Sequence, residues 1–145
     1  MADDDYKNVR ISFWSFIKTT YAGYGVKYEG LDFDTAEYDE WIEPHILNGT
    51  GLPHRADQRF ESWLFQIDHY SRGGPNGQTP VSIWDMVGVT KTAFDQHVIA
   101  LKDWDATGDP VVGYLKCGPL SVAIIPTEDE ALRRVAATVT ATLNE

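Results

Sequence analysis

The chain has 145 residues, 43% hydrophobic and 12% aromatic with five Trp, which excludes a disordered protein and is enough for one domain with a substantial core. A formal net charge of −10 argues against simple binding of nucleic acid, whose affinity rests largely on phosphate neutralisation. The single Cys117 excludes an intrachain disulfide framework and a cysteine zinc site, and no run approaches the roughly 18 apolar residues of a membrane helix.

In chain order, Asp3 to Asp5 offer negative charge and a capping oxygen to a first helix. On that helix Tyr6, Val9, Phe13, Phe16, Ile17 and Thr20 share a face, with Trp14 on its flank. Lys7, Asn8, Ser15, Lys18 and Thr19 lie on the other side, together with Ile11. Gly23 and Gly25 end the helix, and Val26 to Tyr28 is extended. The opening MADDDYKNVR lacks a basic region and an apolar run, so a cytosolic chain is expected. Residues 29–43 are dense in acid (Glu29, Asp32, Asp34, Glu37, Asp39, Glu40, Glu43) and read as a solvated connection. Trp41 to Leu47 alternates as a strand does, and Pro44, which has no N–H to donate, places it at a sheet edge or bulge. Asn48 to Gln58 reads as a long connecting loop, with Asn48-Gly49-Thr50 a turn.

The strongest pattern runs from Arg59 to Phe94. Glu61, Trp63, Phe65, Ile67 and His69 form one face of a long strand; Phe60, Ser62, Leu64, Gln66, Asp68 and Tyr70 form the other. Gly73, Gly74, Pro75, Asn76 and Gly77 extend neither strand nor helix. Thr79 suits an N-cap and Pro80 a first helical position; Ile83, Trp84, Met86, Val87, Thr90 and Phe94 then fall on one side of a second helix. Val98–Trp104, Val111–Lys116 and Leu120–Ile125 read as strands, separated by turns at Trp104–Pro110 and Gly118-Pro119. The last stretch has two readings. Thr127 and Glu130 have capping-box spacing, yet Val135, Ala137, Val139, Ala141 and Leu143 alternate with Arg134, Ala136, Thr138, Thr140 and Thr142, which favours a strand. The fold class is α+β: a mainly antiparallel β-sheet with two helices packed on one face, in a single domain over residues 1–145.

Chemistry finds little purchase. The acids between Asp103 and Asp109 resemble a calcium loop whose twelfth position would be Tyr114, not Glu. GGPNGQT lacks the Lys and the spacing of a phosphate cradle. His45, His54, His69 and His97 show no HxH or HExxH spacing, and no GxSxG elbow is present. Nothing selects a catalytic pair from the acids of 29–43. No catalytic residue, cofactor or metal is therefore expected, and Cys117 reads as a buried small residue. Five Trp on so small a domain point some of them toward a protein interface.

The order of an amphipathic helix, a short strand, the DEW-I-EPHIL strand, the RFESWLFQIDHY strand, a Gly-rich loop, the VSIWDMVGVTKTAF helix and late alternating strands resembles the tail terminator (tail completion) proteins of long-tailed bacteriophages. The resemblance covers most of the chain and rests on layout and on the Trp41 and Arg59–Tyr70 strands. It implies a structural virion protein without catalytic residues: a homohexameric ring that caps the tail-tube protein, stops tube growth and meets the head-side connector or neck protein. DNA would pass through the lumen without specific binding, past acidic walls that repel it, and no membrane is involved. The expected location is the tail or neck of the virion, after assembly in the host cytoplasm. Expected interface residues are Arg72, Gly73, Gly74, Asn76 and Gly77, together with Trp41, His54 and Arg55; the segments Asn48–Gln58 and Arg72–Gln78 would reach out of the ring plane. Two other readings stand beside this one: a head-completion or neck protein of the same particle, and a small cytosolic α+β enzyme or ligand-binding module, which a deep pocket with convergent polar groups would favour.

Overall fold

These patterns take shape in a computed structural model that describes residues 2–55, 58–72, 81–128 and 132–144. The elements are α1 (Ala2–Thr20), β1 (Gly25–Val26), a 3-10 turn (Thr35–Glu37), β2 (Glu40–Arg55), β3 (Gln58–Arg72), α2 (Val81–Phe94), β4 (Val98–Lys102), β5 (Val111–Cys117), β6 (Ser121–Ile125) and β7 (Leu132–Asn144). The strands form one seven-stranded sheet in the order β1-β2-β3-β7-β5-β4, with β6 also beside β7. Every pairing is antiparallel except β1 with β2, which is parallel. Alternation over the last residues thus prevails over the capping-box spacing, and β7 is a strand.

One expectation needs correction. The segment read as a long loop, 48–58, is the far half of a β2–β3 ribbon, paired from Asn48↔Leu64 to Arg55↔Gln58. Gly49, Gly51 and Pro53 are paired with Trp63, Glu61 and Arg59, and the register shifts, of the kind bulges produce, lie between Ile46 and Asn48 and between Pro53 and Arg55. Beyond Ile42, β2 has β3 as its one partner among the described residues, so the Pro44 position lacks a second neighbour to bond.

β7 organises the rest. One edge pairs with β3, from Glu61↔Leu143 to Arg72↔Leu132, and the other edge carries β6 and then β5. β5 and β6 lie nearly end to end along it. Gly118 still donates its N–H to the Thr140 carbonyl at 2.9 Å, but Pro119 has no N–H, and the strand breaks there.

The core lies where helical stripes meet the apolar strand faces. Val9, Phe13 and Ile17 of α1 and Ile83, Met86, Val87 and Phe94 of α2 are buried with Phe65, Ile67, Val135, Val139 and Leu143. Phe13 stacks on Phe65 with centroids 4.2 Å apart, and Phe94 meets Phe13 at 6.1 Å and Phe16 at 5.2 Å, the last edge-on. Trp84, expected in the α2 stripe, is instead 43% exposed, one position outside the Ile83–Met86–Thr90 row. Asn8, expected outside, is buried. Its Oδ1 accepts the Trp104 N–H at 3.2 Å, while Ser12 Oγ accepts the Lys102 N–H at 3.1 Å and the Trp104 indole N–H at 3.0 Å. These α1 side chains satisfy backbone donors at the end of β4, which is why a polar pair is stable inside.

A second buried polar group ties four elements together. His69 on β3 shares Nδ1–H with the Val135 carbonyl of β7 at 2.9 Å, and its Nε2 lies 2.5 Å from Thr90 Oγ1 on α2. The Tyr21 hydroxyl, just past α1, also bonds Thr90 Oγ1. In the arrangement that satisfies each atom, Tyr21 donates to Thr90, Thr90 to Nε2, and Nδ1 to the carbonyl, so the imidazole is neutral. Burial lowers the pKa of His69, against the opposing pull of the Val135 carbonyl and the Asp68 charge. The unfolded chain then takes up this proton first on acidification. Stability from His69 is full above the ordinary value of 6.5 and is lost as pH falls below it toward the folded value. Urea midpoints measured from pH 8 to pH 5 should fall in the wild type and flatten in His69→Gln; equal slopes in the two proteins would refute this.

Candidate functional site

β2 and β3 each present a second face, and on it the sequence places charge and aromatic rings. Trp41 stacks on its cross-strand partner Tyr70, with centroids 5.2 Å apart and planes 10° from parallel, and the Arg72 guanidinium sits 5.4 Å from the Trp41 ring. Arg72 also donates from Nη2 to the Thr35 carbonyl at 2.9 Å and from Nε to the Tyr38 carbonyl at 3.3 Å. It therefore pins the end of the acidic 29–43 connection to β3. Of the expected interface residues, Arg72 and Trp41 are brought together. Trp41, however, is only 3% exposed in the single chain, so its ring supports this face from within. His54 and Arg55 end β2, with side chains outside the described residues; Gly73, Gly74, Asn76 and Gly77 also lie outside them, as do Thr79 and Pro80.

Beside the aromatic stack stands a cluster that sequence spacing did not suggest. Glu43 and His45, two apart on β2, share a face, and the register sets Glu43 opposite Asp68. One donor atom from each lies within 4.8 Å of the others. The donor types suit a divalent cation. Yet Arg134 Nη2 is 3.0 Å from Asp68 Oδ2 and Lys27 Nζ is 3.4 Å from Glu43 Oε1, so each carboxylate already faces a cation. Trp41 Nε1–H and Gln66 Nε2–H donate to Glu43 Oε1 and Asp68 Oδ1. Burial, reinforced by the Glu43 and Asp68 charges, pushes the Tyr70 phenol up to about 12. The arrangement is an ion-pair network that holds the open face of the ribbon, and the metal reading does not follow from it.

A concavity lies elsewhere. Between α1 and the segment after β1 runs an open groove of about 1020 Å³, walled by Trp14, Tyr24, Tyr28, Phe33, Tyr38 and Trp104. Phe33 and Tyr38 stack at 4.7 Å over Gly25, where an added Cβ would stand 2.7 Å from Tyr38 Cδ1; glycine is what lets this aromatic pair close down. The charged groups on its wall, Lys18 and Glu29, do not converge on a common point with any buried acid or base named above. Cys117 is buried, and burial pushes its thiol up to about 11, which suppresses thiolate chemistry.

The last surface is β6. Val122 and Ile124 pair with Ala137 and Val135, buried residues of the core face, yet they are 44% and 69% exposed. The apolar row of β7 thus continues onto β6 as exposed side chains.

No family model matches the chain, and no curated protein does. A solved structure that carries no functional name superposes with a TM-score of 0.66 over 97% of this chain and 96% of its own, at 13% identity. That likeness shows a shared α+β fold: two helices with a mostly antiparallel, curled sheet in one compact domain. Among the described residues no helix is long and apolar enough to cross a membrane.

Proposed function

We propose that this chain is a ring-forming structural protein of the tail-terminator type: a homohexamer that caps the tail tube of a long-tailed bacteriophage, stops its growth and meets the head-side connector. The observation that carries the reading is the bare apolar stretch of β6 on a chain of net charge −10. Apolar surface left at a sheet edge of an otherwise acidic molecule marks contact with another protein. Layout supports it too, because the elements follow one another in the order on which the resemblance rests. We read the two helices as one layer over one sheet face; Phe65 and His69, which meet Phe13 and Thr90, stand on the same side of β3 by alternation. Negative walls would let a duplex slide through such a ring without lodging. In this role no bond is made or broken and no cofactor is required.

The test is electron microscopy of particles made without the protein. Overlong, headless tails are expected; tails of normal length joined to heads would overturn the reading. Tails of normal length that fail to join would move the protein to the neighbouring head-completion position. A second reading, a ligand-binding module, is favoured by the aromatic groove between α1 and the 24–38 segment, since its size fits a small molecule.

A further inference from the structure

We propose that the aromatic groove between α1 and the 24–38 segment takes a proline-rich segment of a partner protein, one that carries basic residues beside its prolines. The proposal rests on the ligand-binding reading above and makes its ligand a peptide; the ring reading stands apart from it.

Specific contacts build this groove. Between β1 and β2 the chain has only a 3-10 turn, yet it is held at several points. The Leu31 N–H bonds the Tyr28 carbonyl at 3.2 Å, Asp34 Oδ1 accepts the Ala36 N–H at 3.0 Å, and Arg72 holds the Thr35 and Tyr38 carbonyls from β3. From α1, Trp14 meets Tyr28 edge-on at 6.4 Å and Arg10 lies 3.7 Å from Glu29. Rings fixed in this way lose little freedom when a ligand arrives. They also keep surface to offer: Trp14, Tyr24, Tyr28 and Phe33 are partly exposed, Tyr38 is 39% exposed and Leu31 65%.

The type of ring selects the ligand. Walls of Trp, Tyr and Phe receive proline rings, and a polyproline II helix has no internal hydrogen bonds, so its carbonyls await donors. Tyr24, Tyr28 and Tyr38 bring hydroxyls of that kind to the groove wall. Such a segment is extended before it binds, and an open groove takes it at a low cost in entropy.

Charge sets the flanks. Residues 29–39 expose Glu29, Asp32, Asp34, Glu37 and Asp39 and include no Lys or Arg. Opposite them α1 offers Lys18 and Arg10, and Arg10 is already beside Glu29. The lip therefore carries an excess of negative charge, which Lys or Arg in the bound segment complements. A second copy of this chain does not fit that description, because its seven prolines are scattered singly and its net charge is −10. The partner is a different protein.

The experiment is isothermal titration calorimetry on the full chain with three synthetic probes. These are an oligoproline tipped with two arginines, the same oligoproline tipped with two glutamates, and an amphipathic Leu/Lys helix with the net charge of the first. The arginine-tipped probe should saturate at one per chain, and the glutamate-tipped probe should bind at least about tenfold more weakly. Tyr38→Ala should weaken the arginine-tipped probe by about tenfold, and Asp32→Lys with Glu37→Lys, which alters exposed charges alone, by a similar factor. Val112→Lys, exposed on β5 and not on the groove wall, should leave the affinity unchanged, with circular dichroism as the check on folding of every variant. Groove variants that bind like the wild type, or a Val112→Lys that loses as much as they do, overturn the groove as the place of binding. A helix probe held more tightly than the arginine-tipped oligoproline overturns the proline ligand while the groove remains a binding site. No saturable binding of any probe overturns the proposal and leaves the groove to a small molecule.

Discussion

Thr90→Val should lower the unfolding free energy by about 3 kcal/mol, although valine is nearly the same shape. The hydroxyl bonds the Tyr21 phenol and the His69 Nε2, and it reaches the Met86 carbonyl at 3.2 Å. All of this is buried, so water cannot replace what is lost. The phenol and the imidazole are left facing a methyl group, and each unpaired buried group costs about 1–3 kcal/mol. Tyr21→Phe removes just one donor and should cost about 1 kcal/mol, because Thr90 keeps its bond to His69. Urea unfolding of the two variants checks the order; equal losses, or a loss below about 1 kcal/mol for Thr90→Val, would show that the hydroxyl is not the hub.

The other large effect is packing. Phe65→Ala removes the ring on which Phe13 stacks, at a place where both rings have no exposure at all. The lost transfer energy and the cavity together should cost about 3–5 kcal/mol, and the thermal midpoint should drop by about 6–15 °C. Phe65→Leu keeps most of the volume and should recover more than half of the loss. If Phe65→Ala unfolds with a midpoint within about 2 °C of wild type, the contact between α1 and β3 is not the centre of the core.

Much of this arrangement was legible before any coordinates. The two faces of β3 were plain because alternation continues without a break from Glu61 to Tyr70. The alternation of Val135 to Leu143 carried the strand reading over the local helix signal, since a buried β7 must present its apolar side to the core along its whole length. The far half of β2 was illegible for a local reason: glycine and proline at Gly49, Gly51 and Pro53 are turn residues by propensity, and only pairing with β3 holds them extended. Asn8 was misplaced because a helical wheel ranks it polar, while its partner is a backbone N–H ninety-six positions away. The Glu43–His45–Asp68 cluster required the β2–β3 register, which nothing in the sequence specifies. The parallel pairing of β1 was beyond reach because two residues carry no periodicity. No local pattern distinguishes Trp84 from its buried neighbours, since the width of the covered stripe depends on where the sheet ends.

β7 has a kinetic consequence. It is made after β3, β5 and β6, and it is the strand to which all three are joined. During synthesis the earlier strands wait without their common partner, and the contacts of β3, β5 and β6 with β7 form only once this segment has left the ribosome. Loop closure over such separations is slow, so maturation of the domain waits until β7 has been made. Newly made chains would consequently spend their most aggregation-prone interval while still tethered, each kept apart from its neighbours by the spacing of ribosomes on the message.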